Sequence, residues 1–196
     1  MTRALSAPNA RMLNHAEFVY APGDRALTTR LFEALGCRVV DPQRESGPDN
    51  LGPAASPYLI IYLDRGSDDV IDNVFYASEV TPVQWAFERA MRQQLEAHPP
   101  LHEAAEGLRA AFSERPQAMT HIGLAFPSTE ELEGAVARIE ADARLAPRVR
   151  RSKIYRPGEP DSADDRVVQA FLHTDVCSNS LLTTGQQFEL QVRLDL

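Results

Sequence analysis

Two histidines and two glutamates stand at matching places in the two halves of this 196-residue chain. His15 lies in the strand-like segment 12–20 (MLNHAEFVY), and His121 lies in its counterpart, 119–126 (MTHIGLAF). Glu79 closes the strand-like segment 73–80 (NVFYASEV), and Glu189 sits in the last such segment, 186–194 (QQFELQVRL). Imidazole and carboxylate together suit a divalent first-row metal ion such as zinc, iron, manganese, nickel or cobalt. The two cysteines, Cys37 and Cys177, are not at matching places and make no thiolate cluster or disulfide framework.

Strand alternation sharpens the pattern, because side chains two apart share a face. In 186–194, Phe188, Leu190, Val192 and Leu194 form one face, and Gln187, Glu189, Gln191 and Arg193 form the other. The second face is too polar for a dry core and needs water or a polar cavity. In 121–126, Ile122, Leu124 and Phe126 oppose His121, Gly123 and Ala125, and the two small residues leave room beside the imidazole. His15 shares a face with Glu17 and Val19. In this reading the polar faces line one concave sheet. His173, in the strand-like segment 166–174, is a candidate acid–base group or a support for one. Tyr62 and Tyr76 are open between substrate contact and core packing, while His98 and His102, flanking Pro99-Pro100, read as surface residues.

The elements that must position these residues follow from periodicity. A helix is expected from Arg25, with Leu27, Leu31, Phe32 and Leu35 at helical spacing and Gly36 as its stop. Short strands are expected at 37–41 and 58–64, separated by a proline-rich loop at 42–57. Residues 82–98 and 101–113 predict two helices, the first burying Val83, Ala86, Phe87, Ala90, Met91 and Leu95 and stopping at Pro99-Pro100. The second is expected to bury Leu101, Ala105, Leu108 and Phe112. A further helix starts near Ser128 or Thr129, with Glu130 and Glu131 at its positive end. Strands follow at about 148–156, 166–174 and 186–194. Element order therefore repeats, and the fold class is α+β: a first βαβββ module (12–81), a helical insert (82–117) and a second βαβββ module (118–196), in one integrated domain. The two modules are expected to form a curled half-barrel cup.

Paired modules of this kind, with His15 and His121 opening them and Glu79 and Glu189 in their closing strands, resemble the vicinal oxygen chelate superfamily. That group contains glyoxalase I, extradiol ring-cleavage dioxygenases and bleomycin-resistance proteins. The resemblance spans about residues 12–80 and 118–195 and implies a cup that holds a metal ion chelating two adjacent oxygens. By that resemblance, His15, Glu79, His121 and Glu189 match the His/Glu/His/Glu ligand pattern of glyoxalase I, and the chain is a metal-dependent lyase or isomerase. The metal then acts as a Lewis acid while Glu79 or Glu189 moves the proton. Without Glu79, the remaining three residues match the two-histidine, one-carboxylate set of an Fe(II) extradiol dioxygenase, with His173 as its acid–base group. A third reading is a non-catalytic module that sequesters a small ligand. The chain departs from the family in having Thr183-Thr184-Gly185-Gln186 where many members carry an Asp-Pro-x-Gly turn, and in its long insert.

Composition bounds the partners. With 20 Lys+Arg against 28 Asp+Glu, the formal charge of −8 argues against nucleic acid. The basic run Arg148–Lys153 reads as a strand-loop junction or as an anion-binding rim over a pocket. No apolar stretch is long enough for a membrane span, and the start lacks the apolar centre of a secretory signal, so the expected location is cytoplasmic. The expected partners are a small-molecule substrate and a second copy in a homodimer; the insert's apolar stripes are open between covering the sheet edge, capping the cup as a lid and forming that dimer interface.

Overall fold

The computed structural model describes residues 14–42, 58–159, 161–162 and 164–194. Residues 1–11, expected from their sequence to form a polar tail, and nearly all of the loop at 42–57 lie outside these. In chain order the described elements are β1 (His15–Tyr20), α1 (Arg25–Ala34), β2 (Arg38–Val40), β3 (Tyr58–Tyr62) and β4 (Val74–Glu79). The helices α2 (Pro82–Ala97) and α3 (Pro99–Glu114) follow. Then come β5 (Ile122–Ala125), α4 (Thr129–Ala141), β6 (Val149–Arg151), β7 (Val167–Thr174) and β8 (Gln186–Arg193). The result is a mixed α+β fold with two four-stranded sheets, ordered β1-β4-β3-β2 and β5-β8-β7-β6, neither of which closes into a barrel. In each sheet the first pair, β1 with β4 and β5 with β8, is parallel and the other pairs are antiparallel. The two-part layout agrees with the expected organisation.

Local chemistry explains the element ends. Gly36 adopts φ +91° just past α1, a left-handed conformation that glycine takes without a Cβ clash, and its N–H closes on the Glu33 carbonyl at 3.0 Å. Thr81 caps α2 by accepting from the Gln84 N–H at 3.2 Å, and Ser128 caps α4 by accepting from the Glu131 N–H at 3.3 Å. Pro99-Pro100 not only ends α2 but occupies the first turn of α3, where a missing N–H costs no hydrogen bond. α3 therefore begins two residues before the expected Leu101.

The apolar faces of both sheets, with α1 and α4, merge into one core. Phe18 and Phe32 of the first half meet Phe188 of the second, with ring centres 5.7 and 5.9 Å from it, and Phe75 packs behind them at 5.1 Å from Phe18. Polar ties cross the same seam. The Arg138 guanidinium donates to the Ala34 carbonyl at 2.9 Å, Arg30 pairs with Asp142, and Val19 and Ser178 exchange backbone hydrogen bonds.

The insert corrects an expectation. Val83 and Phe87 of α2 are 83% and 56% exposed, and Leu101 and Leu108 of α3 are exposed as well. The fully buried residue of α2 is Glu88. Its carboxylate accepts from the Leu182 N–H at 2.7 Å, from the Thr183 N–H at 2.9 Å and from the Thr183 hydroxyl. The loop after β7 offers α2 unpaired N–H groups rather than an apolar surface, so the helix turns its acid inward and its apolar stripe outward. No helix among the described residues is long and apolar enough to cross a membrane.

Candidate functional site

The polar face of the second sheet is built by register. Glu189 pairs across to Gly123 on β5 and Phe171 on β7, Gln191 to Ala125 and Gln169, and Gln187 to His173. Alternation therefore puts His121, Gly123, Ala125, Glu189, Gln169 and Phe171 on one face, opposite the core residues Leu124, Phe188, Leu190 and Leu172. The face is less wet than its composition implies: Gln187 is 1% exposed and Glu189 8%. The Gln187 amide donates to the Pro116 carbonyl at 2.8 Å, and the Glu189 carboxylate accepts from the amides of Gln169 and Gln191.

At its centre His121 and Glu189 meet. His121 Nε2 lies 3.1 Å from Glu189 Oε2, and His121 Nδ1 lies 2.8 Å from the Met119 carbonyl oxygen. A carbonyl only accepts, so Nδ1 carries the hydrogen and donates it. In the neutral ring Nε2 then presents a lone pair to a carboxylate oxygen. That contact is favourable when a proton or a metal ion is shared between the two atoms: the second proton of an imidazolium, the proton of a neutral carboxyl, or a metal ion. Glu189 Oε1 is held from the other side by the Gln169 amide and, at 3.0 Å, by the Gln191 amide. The Gln169 Oε1 atom is buried without a partner among the described residues. Gly123 keeps the space beside the pair open, since a Cβ there would stand 3.4 Å from Glu189 Oε2. Phe171 meets the His121 ring edge-on at 5.5 Å, and Tyr155 meets Phe171 at 6.1 Å, giving the pair an aromatic wall.

His15 and Glu79 do not join one another. β1 and β4 run parallel with His15 opposite Val74 and Tyr20 opposite Glu79. The two candidates are thus five residues apart along the pair, about 16 Å, and on opposite faces of the sheet. His15 is exposed with its ring edge-on to Tyr76 at 6.0 Å, while exposed Glu79 shares the face of Tyr20. Among the described residues no group of three or more His, Cys, Asp or Glu side chains is arranged to hold a metal ion. The four-residue His15, Glu79, His121, Glu189 set therefore does not assemble within one chain, whereas the His121–Glu189 pair does. The pair has the features of two metal ligands: a histidine whose other nitrogen donates to a backbone carbonyl, and a carboxylate steadied by neighbouring amides.

His173 occupies another part of the same face. Its ring stacks on Phe112 of α3 at 4.1 Å, and Nε2–H donates to the Thr184 carbonyl at 3.0 Å. Burial, then the fields of Arg150 and Arg109, push its pKa down against the Thr184 hydrogen bond, which favours a neutral ring. Gly185, at φ +75°, lies directly against this ring: an added Cβ would come within 2.7 Å of Nε2 and 2.6 Å of the Thr174 carbonyl oxygen. Tyr76 donates its hydroxyl hydrogen to the Val70 carbonyl, and Tyr62 stacks under the Arg38 guanidinium at 4.0 Å. Cys37 and Cys177 are buried free thiols, and burial raises the Cys37 pKa to about 12. The residues that sequence reasoning passed over are Gln169 and Glu88. Neither stands at a spacing that marks it, because each is defined by a partner 20 or 94 residues away.

No family model matches the chain, and no curated protein matches it. Among solved structures it is similar to that of protein PA1353 from Pseudomonas aeruginosa, at 11% identity and a TM-score of 0.44, over 94% of this chain and 100% of that one.

Proposed function

We propose that the chain is a metal-dependent small-molecule enzyme, a lyase or isomerase built from two glyoxalase-like βαβββ modules, in which His121 and Glu189 hold the ion. The observation that carries the reading is the orientation of His121, with Nδ1 held by a backbone carbonyl and Nε2 and Glu189 Oε2 facing one another so that the two can share an ion. The identical strand order of the two sheets supports the module assignment. A divalent ion at this pair supplies Lewis-acid polarisation of a substrate oxygen. The protein's own residues do the rest. The Met119 carbonyl fixes the His121 tautomer and ring plane. The amides of Gln169 and Gln191 pin Oε1 of Glu189, leaving Oε2 as the oxygen that would hold the ion. Gly123 and Ala125 leave the approach open, and Phe171 stands edge-on against the His121 ring.

A second reading, a metal-free module that binds a small ligand with the His121–Glu189 ion pair as its polar anchor, is favoured by the separation of His15 from Glu79. Calorimetric titration of the metal-stripped protein with zinc, iron(II), manganese, nickel and cobalt distinguishes the two. The enzyme reading expects one ion per chain, lost in His121→Ala and in Glu189→Ala and unchanged in Glu79→Ala. Absence of binding in the wild type supports the metal-free module and overturns the enzyme reading.

A further inference from the structure

A cavity of about 400 Å³ lies between the insert and the second sheet, apart from the His121–Glu189 pair. Four arginines line it: Arg92 of α2, Arg109 of α3, Arg150 of β6, and Arg148 just before β6. His173 and the Thr183–Gly185 backbone form part of the wall. Against these four guanidinium groups the wall carries two carboxylates, Glu96 and Asp175. This is a local reversal of sign in a chain of net charge −8. A screening length of about 8–10 Å keeps the distant acids from cancelling it.

The arginines are not equally committed. Arg148 is held by Asp175 at 2.6 Å and by Asp24 at 3.2 Å, and Arg109 pairs with Glu106. Among the described residues no carboxylate forms an ion pair with Arg92 or Arg150. Arg92 is steadied over the Trp85 ring at 5.4 Å, and Arg150 is placed by its strand pairing opposite His173. Two guanidinium groups without an ion pair among the described residues thus come to one cavity from the insert and from the sheet, beside the ion-paired Arg109 and Arg148. The His173 pKa is lowered chiefly by burial, with Arg150 and Arg109 adding to it against the Thr184 hydrogen bond and Asp175.

Guanidinium forks match the paired oxygens of phosphate and carboxylate groups, and a volume of this size accommodates a small organic molecule. We propose that this cavity is a binding site for a small organic polyanion, gripped through its phosphate or carboxylate oxygens by Arg92 and Arg150. The basic run at 148–153 supplies one wall, and the insert helices supply the other. Glu88 sets the position of Arg92, because its bonds to Leu182 and Thr183 dock α2 onto the loop that also lines the cavity.

The test is calorimetric titration of the full chain at low salt with pyrophosphate and, separately, with citrate. Binding at one site per chain is expected for at least one probe, weakening as salt is added. Arg92→Gln with Arg150→Gln is expected to weaken it by about tenfold or more, whereas Arg92→Lys with Arg150→Lys, which keeps charge but loses the fork, weakens it less. Preference for pyrophosphate assigns a phosphorylated ligand, and preference for citrate a polycarboxylate. No binding of either probe, or binding indifferent to the Gln double variant, overturns the proposal. The site shares no residue with the His121–Glu189 pair, so failure of one reading leaves the other standing.

Discussion

His121 and His173 are both strand-region histidines of the same half, and their surroundings give them different roles. His121 keeps its side chain 28% accessible and points a nitrogen at a carboxylate. His173 is buried, stacked on Phe112, and surrounded by arginines. Because the folded His173 pKa is lowered, the unfolded chain takes up the proton first as acid is added. Stability from this residue is therefore full above the unfolded value of about 6.5 and falls as the pH drops below it. Urea denaturation at about pH 5 and about pH 7.5 checks this, and His173→Gln is expected to flatten the difference. Gly185→Ala is expected to destabilise by more than about 1 kcal/mol, since φ +75° and the Thr174 carbonyl both oppose a Cβ. Thermal or urea unfolding measures it. At this scale the alternation of Phe188 against Glu189 was legible in the sequence, because a pleat of period two leaves no freedom. The separation of His15 from Glu79 was not, because it depends on the register of β1 against β4, which no local pattern records.

Most elements were legible for the same local reasons: periodic apolar residues, a capping Ser or Thr, and a glycine where a helix must turn left-handed. The orientation of α2 was not. Its sequence offers an apolar stripe, but the surface it meets is a loop with N–H groups to satisfy, and Glu88 wins the inner position. Burial opposes the Glu88 charge, but the hydrogen bonds from Thr183, Leu182 and Gln84 outweigh it and hold its pKa below the usual value. Its stabilising contribution is present above the unfolded value of about 4.3 and is lost as the pH falls through the lower folded value. Glu88→Ala leaves the Leu182 and Thr183 N–H groups unpaired and is expected to cost about 1–3 kcal/mol. Chemical denaturation reads that cost, and hydrogen exchange at α2 and α3 is expected to quicken with it. The outward Val83 and Phe87 follow from this docking.

The molecule as a whole is held together where Phe18, Phe32, Phe75 and Phe188 interlock, so its two similar halves share one core. Phe188→Ala is expected to destabilise by about 3–5 kcal/mol and to weaken both halves together. Tyrosine fluorescence and far-ultraviolet circular dichroism should then give coincident unfolding transitions, and separate transitions would show that the halves unfold independently. The two-part layout was visible in the sequence, whereas the seam between the halves was not, because Phe188 reads equally well as packing on its own helix.

The central claim is that His121 Nε2 and Glu189 Oε2 share a metal ion. Long-range proton–nitrogen NMR of the His121 ring, before and after one equivalent of zinc, tests it most directly. The account predicts that Nδ1 stays protonated on Met119 while the Nε2 resonance moves to a metal-bound position, and that Glu189→Gln abolishes the movement. An Nε2 that carries a proton throughout and ignores the metal would contradict it and leave an ion pair in its place.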